Sequence, residues 1–306
     1  MTQQNPTFRS GHVAVVGRPN VGKSSLINAL LGERLCIVSP KPQTTRHRVL
    51  GVVTREQGQI GYLDTPGMHV AGTGKALNRQ LNRTAAATLA EADVNVHVVE
   101  ALRFDAEDRA VRKAVLAAGR PCLLAINKID TIKDKGALLP FIAEHGGAQA
   151  DGQGGYGGVF LVSARRRDGL QALEEAIIQV LPEQEALYDA DTLTDRSERF
   201  LAAELVREQL MRQLGQELPY ATTVEIEQYT LEGRLRRIHA GIWVEREGQK
   251  AIVIGAKGAR LREIGTQARL AMERLFDGKV HLELWVKVRS GWSDDERALR
   301  EMGIGG

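Results

Sequence analysis

Cysteine is almost missing from this chain. Only Cys36 and Cys122 occur among 306 residues. They lie far apart without metal-ligand spacing, which argues against a disulfide framework and for buried or free thiols in a reducing compartment. Long apolar runs are missing as well. No stretch approaches the ~18 residues of a membrane span, and residues 1–10 have no signal-peptide core. A cytoplasmic location is expected. Charge of one sign is also scarce: 41 Lys and Arg against 38 Asp and Glu leave a net +3. The whole molecule is therefore no general polyanion binder, and any nucleic-acid surface must be a local patch. Core material is ample, with 43% apolar and 26% charged residues, and a chain of 306 suggests two domains.

The stretch that organises the chain is Gly17-Arg18-Pro19-Asn20-Val21-Gly22-Lys23-Ser24-Ser25. It follows the apolar run Val13-Ala14-Val15-Val16 and leads into a helical pattern through Leu26, Ile27, Leu30 and Leu31. G-x-x-x-x-G-K-S between a strand and a helix is a phosphate loop. Gly17 and Gly22 let backbone N–H groups curl inward, and the helix aims its positive end at the same anion. Lys23 supplies a mobile charge for the β- and γ-phosphates, and the Ser24 hydroxyl can ligate Mg²⁺. A chance glycine turn is the competing reading, and the strand–helix context disfavours it.

Strands are expected at residues 49–53 and 60–63, joined by a hairpin near Gly58. The second ends in Asp64-Thr65-Pro66-Gly67-Met68. An acid at the carboxyl end of such a strand sits beside the phosphate site. Asp64 reads as the carboxylate that holds Mg²⁺ through water, and Gly67 as an N–H donor to the γ-phosphate. Further strands are expected at 94–99, 121–126 and 159–162, with helices at 107–118 and 169–181. The fifth strand runs into Asn127-Lys128-Ile129-Asp130. A carboxylate at Asp130 can accept from guanine N1–H and the 2-amino group together, a donor pair adenine lacks. Asn127 braces the loops and the stem of Lys128 covers the base. An isolated N-K-x-D could equally be a helix-capping turn. Ser163-Ala164, after the last strand, can offer a backbone N–H to guanine O6.

These elements are similar to those of translation-factor-class GTPases. Gln43-Thr44-Thr45-Arg46-His47-Arg48, Trp285-Val286-Lys287-Val288 and Gly291-Trp292-Ser293-Asp294-Asp295-Glu296-Arg297 resemble one family, Era, over nearly the whole chain. The resemblance implies an α/β GTPase domain with a doubly wound, mostly parallel sheet, followed by an α+β type II KH domain. It implies GTP or GDP and Mg²⁺ as cofactors, and binding to the 3′ end of 16S rRNA as a checkpoint in 30S subunit assembly. Peripheral contact with the inner face of the cytoplasmic membrane follows too, with the chain expected to be a monomer. Ser24, Thr45 and Asp64 would be the metal ligands, Thr45 being favoured over its neighbour Thr44. Lys23, Thr45, Asp64 and Gly67 would carry the chemistry. Ras-like proteins have glutamine where this chain has Met68, so hydrolysis is expected to be slow unless assisted.

Two stretches depart from the family pattern. Residues 146–158 are glycine-rich and read as a flexible surface insertion, or alternatively as an RNA contact. Arg165-Arg166-Arg167 reads as a solvated basic turn, or alternatively as a contact to rRNA phosphate.

The domains are expected to span 1–183 and 184–306, with the break at Pro182-Glu183-Gln184-Glu185. A helix capped near Asp195 carries the stripe Ala203, Val206, Leu210 and Leu214, and strands follow at 222–229 and 236–245. Ala251-Ile252-Val253-Ile254 leads into Gly255-Ala256-Lys257-Gly258. G-x-x-G before a helix lets a sugar–phosphate backbone approach the peptide chain. Arg260 and Arg262 on that helix complete the candidate RNA contacts. Trp285, in a last strand at 281–288, is expected to pack in the sheet rather than stack on a base. A GTPase that modifies tRNA is disfavoured, since no cysteine nucleophile or flavin motif lies outside the first domain. A purely structural nucleotide site is disfavoured by the complete set Lys23, Ser24, Thr45 and Asp64.

Overall fold

The computed structural model describes residues 8–41, 44–67, 76–147, 155–215 and 222–292. The chain forms two compact units, one of residues 1–36, 45–73 and 81–195, the other of residues 37–44, 74–80 and 196–306.

The first unit is a six-stranded sheet in the order β2-β3-β1-β4-β5-β6. Its strands are β1 Arg9–Val16, β2 Val49–Arg55, β3 Gly58–Asp64, β4 Val94–Glu100, β5 Cys122–Asn127 and β6 Val159–Leu161. Only the β2–β3 hairpin is antiparallel. A central strand covered on both faces needs continuous apolar sequence, and Val13 to Val16 are fully buried. The order reverses at β1, whose neighbours are β3 and β4, so a crevice opens at its carboxyl end. The helices are α1 Lys23–Leu31, α2 Ala76–Glu91, α3 Ala106–Ala117, α4 Leu138–His145 and α5 Leu170–Val180. Neither α2 nor α4 is anticipated by the sequence reading. Among the described side chains of α2, Leu81, Ala85, Thr88 and Leu89 are buried, a stripe interrupted by alanines and polar residues.

The expected break after residue 183 meets a different arrangement. Residues 184–195 lie along the first unit: Ser10 Oγ donates to Glu185 O (2.5 Å), Gln59 Nε2 to Tyr188 O (2.8 Å) and Val52 N to Leu193 O (2.8 Å). Helix α6 Glu198–Gln213 opens the rest of the second unit. Its N-cap is Ser197, whose side chain accepts from Phe200 N, rather than Asp195. Val206, Leu210 and Leu214 are buried as expected, while Ala203 is half-buried.

β7 Thr222–Glu232 and β8 Leu235–Val244 form a hairpin, and β9 Lys279–Val288 adds parallel to β8. Between them lie α7 Glu247–Ile254 and α8 Ala259–Leu275. The apolar run 251–254 is the end of α7, where Val253 is buried and Ile252 exposed. Residues 37–44 also belong to this unit. Val38 N donates to Glu208 Oε1 (3.0 Å), and Lys41 Nζ caps the end of α6 at Met211 O and Leu214 O. The Trp285 indole packs on the sheet, donating to Glu227 Oε1 at 3.0 Å. Both cysteines are buried, and neither is in a disulfide among the described residues. Among the described residues no helix is long and apolar enough to cross a membrane.

Under β4, His97 is fully buried, with Nδ1 2.7 Å from the Tyr156 hydroxyl. Burial, with the Arg112 and Lys23 charges behind it, lowers its pKa from 6.5 to about 3. The unfolded chain therefore binds a proton below about pH 6.5 that the folded chain refuses. Stability from this residue is complete above that pH and is lost as pH falls towards 3, by ~1.4 kcal/mol per pH unit. His97→Phe is expected to flatten that acid limb in denaturant melts at pH 4.5–6.5. An unchanged slope would show that other groups carry it.

Candidate functional site

The phosphate loop joins β1 to α1 at the crevice. Gly22 holds φ at 100°, and a Cβ there would lie 2.5 Å from Asn127 Nδ2, so backbone conformation and close approach both demand glycine. Lys23 is 7% exposed and its Nζ donates to the carbonyls of Gly17 and Arg18, each at 3.0 Å. Burial lowers its pKa to about 8, against the pull of Asp64. A buried ammonium whose hydrogen-bond partners among the described residues are loop carbonyls is placed to turn to a polyphosphate. Pro19, Asn20 and Val21 form the crest, with Asn20 at φ 65° and Val21 fully buried. Ser25 follows Ser24 in the first turn of α1.

Three residues proposed from sequence as metal ligands meet at one point. Ser24 Oγ donates to Asp64 Oδ2 (2.7 Å), Thr45 Oγ1 donates to the same atom (3.1 Å), and the two hydroxyls are 3.1 Å apart. Asp64 is 1% exposed, and burial raises its pKa although Ser24, Lys23 and Thr45 oppose the rise. Hard oxygen donors around a desolvated carboxylate fit Mg²⁺, which keeps waters and takes its remaining ligands from phosphate. The structure brings Thr45, not Thr44, to this point: the Thr44 hydroxyl bonds Ser39 Oγ and Lys41 O instead. Thr65 is turned away, its hydroxyl donating to Val15 O (2.9 Å). Gly67 sits against Pro19, where a Cβ would come within 3.0 Å. Pro66 lies between them, and Met68 falls outside the described residues.

The base loops converge opposite. Asn127 Nδ2 donates to Val21 O (2.9 Å), and its Oδ1 accepts from Ala164 N (3.1 Å), so one amide ties three loops together. Asp130 Oδ1 accepts from Ser163 Oγ (2.7 Å), which holds its carboxyl below the ordinary range. Lys128 has φ 66°, and its amine reaches Glu100 at 3.1 Å. Arg165, Arg166 and Arg167 are exposed on a tight turn closed by backbone bonds between Ser163 and Asp168.

In the second unit, Gly255 ends α7 and Gly258 begins α8, with φ 70° and 76°. Lys257 is exposed between them at φ 49°. Among the described residues no heavy atom beyond its chain neighbours lies within 4 Å of a Cβ built at Gly258, so its outer face is open. Beside it, a cavity of about 330 Å³ lies between α8 and β9. Leu261, Gly265, Leu282 and Leu284 line it, with Arg262 and Arg269 among its walls. Arg260 instead folds back, donating to Ile252 O (2.8 Å), and does not line the cavity. Arg269 and Thr266 were missed from the sequence. Their spacing from Gly258 and Arg262, one helical face of α8, was the available signal.

Residues 12–128 match the family described as 50S ribosome-binding GTPase, and residues 217–293 match the KH domain. GTPase Era of Stenotrophomonas maltophilia (strain K279a) is 55% identical over 303 residues, 99% of each chain. GTPase Era of Xanthomonas axonopodis pv. citri is likewise 55% identical over 99% of each. Among solved structures, a variant of Aquifex aeolicus Era bound to GDP·AlF4⁻ gives a TM-score of 0.92 at 36% identity, covering 97% of this chain and 100% of its own. Era in complex with MgGDPNP and nucleotides 1506–1542 of 16S ribosomal RNA gives 0.92 at 36%, covering 98% and 100%. The match spans both halves, 99% of the chain at 55% identity, and the chain belongs to the Era family of GTPases.

Proposed function

We propose that this GTPase binds the 3′ end of 16S rRNA through the groove beside Gly255–Gly258 and serves as a checkpoint in 30S subunit assembly. The observation that carries the reading is the pairing, in one chain, of a phosphate loop with an open G-x-x-G groove, in a protein similar over 98% of its length to Era held with that rRNA segment. On this reading Lys23 swings from the carbonyls of Gly17 and Arg18 to the β- and γ-phosphates. Ser24, Thr45 and Asp64 would hold Mg²⁺, which would supply charge neutralisation at the phosphate oxygens. Asp130 would select guanine, the Ala164 N–H would meet the base oxygen only after leaving Asn127 Oδ1, and the Gly67 N–H would serve the γ-phosphate.

In the groove, Lys257 and Arg262 neutralise phosphate while Leu261, Leu282 and Leu284 receive unstacked bases. Arg260 serves there only after leaving Ile252 O. The working domains follow as residues 1–183 and 184–306, with 184–195 a strap on the first. The chain is proposed to be monomeric and cytoplasmic. Peripheral contact with the inner face of the membrane rests on the family resemblance alone.

Two experiments test the halves separately. Asp130→Asn is expected to lower GTP affinity roughly tenfold to a hundredfold, since an unpaired guanine donor costs ~1–3 kcal/mol. Preference should move to xanthosine triphosphate, whose 2-oxo group accepts from the new amide. Competition binding with the original guanine preference intact would remove Asp130 from the base site. Gly258→Asp places a carboxylate where RNA phosphate must approach, in a φ that aspartate tolerates better than most residues. Binding of the 16S rRNA 3′ end should fall while GTP affinity holds, and a circular dichroism melt checks that the variant is folded. A folded variant binding as wild type would leave the loop a plain turn and move the search to Arg165–Arg167.

A further inference from the structure

Glu100 ends β4 at the edge of the nucleotide crevice, with its side chain 28% exposed. One of its oxygens, Oε2, accepts from two cations on different loops: Arg18 Nη2 at 3.2 Å and Lys128 Nζ at 3.1 Å. Arg18 belongs to the phosphate loop, and its carbonyl is one of the two that hold Lys23 Nζ. Lys128 belongs to N-K-I-D. A single carboxylate atom therefore joins the loop that grips phosphate to the loop that covers the base.

The rest of Arg18 is held firmly. Its side chain is 5% exposed, and Nε lies 2.9 Å from Asp108 Oδ2 and 3.5 Å from Asp105 Oδ2. Those two acids form the capping box of α3, so the helix start fixes their positions. Among the described residues Lys128 has no such frame. Its backbone is left-handed, and Glu100 is the group that directs its amine. Burial opposes ionisation of Glu100, yet the bonds and charges of Lys128 and Arg18 outweigh it and hold the carboxyl below its ordinary range.

We propose that Glu100 is a positioning residue for the nucleotide, aligning the Lys128 stem over the base and the Arg18 turn under the phosphates through one shared oxygen. This rests on the reading of Lys128 as the residue that covers the base. Grip on the base and grip on the phosphates are then coupled, and loosening either loosens both. An amide at this position keeps the shape but loses the charge that draws both cations to it. A shorter carboxylate keeps the charge but cannot span both partners.

The test is the release rate of fluorescently labelled GDP from the full chain with Mg²⁺, for Glu100→Gln, Glu100→Asp, Lys128→Met and the Gln–Met double variant. Glu100→Gln and Glu100→Asp are each expected to speed release about fivefold, a partly exposed ion pair setting the scale. The double variant should release GDP more slowly than the product of the two single accelerations predicts, because both substitutions break the same contact. Melting of the nucleotide-free variants separates a role confined to stability. Unchanged release in folded Glu100→Gln, or effects that multiply fully across the cycle, overturns the proposal. If Lys128→Met itself leaves release unchanged, the assignment of Lys128 to the base fails and takes the proposal with it. Fast release in Lys128→Met beside normal release in Glu100→Gln removes the proposal alone.

Discussion

A carboxylate taken out of water is the constraint on which the first unit depends. Asp64 is 1% exposed, and burial works to protonate it. It stays in place because Ser24 and Thr45 both donate to Oδ2 and Lys23 lies close enough to attract it. A buried acid held by hydroxyl donors beside a single ammonium is costly, and a divalent ion at the same point would relieve that cost. The same arrangement that makes the buried carboxylate costly thus makes it ready for metal and phosphate.

Strand register puts the carboxylate there. Val15 of β1 pairs with Asp64 of β3, and the next residue, Thr65, ties its hydroxyl back to Val15 O. Asp64 therefore arrives one strand away from the turn into α1. On the other side of β1, the ends of β4 and β5 arrive with Glu100 and Asn127, which pair in register. Asn127 then closes the arrangement by reaching the phosphate-loop carbonyl of Val21 and the amide of Ala164. Gly22 has to lack a side chain because this amide occupies the space. Parallel strands deliver all these groups to one edge, since every carboxyl end in such a sheet points the same way.

The second unit meets its partner differently. Its near-neutral chain concentrates cations on one face of α8, where Arg262 and Arg269 flank the apolar cavity. The loop before α8 supplies backbone without bulk, so approach is limited by charge and shape rather than by side chains in the way. That combination suits a single-stranded polyanion whose bases can be splayed out.

Much of the architecture was legible because it is local. A glycine turn between an apolar strand and a helix, an acid at a strand end and N-K-x-D after a strand each state a backbone conformation within a few residues. The five core strands near Val13, Val52, Leu63, Val96 and Leu124 were readable from continuous apolar runs, which only doubly covered strands require. Other features depend on residues distant in the chain. Helix α2 hides its stripe in alanines, and Ser197 outcompetes Asp195 as a cap. Residues 184–195 join the first unit through bonds spanning more than a hundred positions, such as Gln59 to Tyr188, which are 129 apart. Arg18 meets Asp108 across 90 residues, and Glu100 meets Lys128 only because β4 and β5 are neighbours in the sheet. The sequence by itself determined which chemistries the loops could offer, since that is a matter of residue type and spacing. Only the tertiary structure decided which loops share an atom, because strand order and register, not local pattern, set the distance between them.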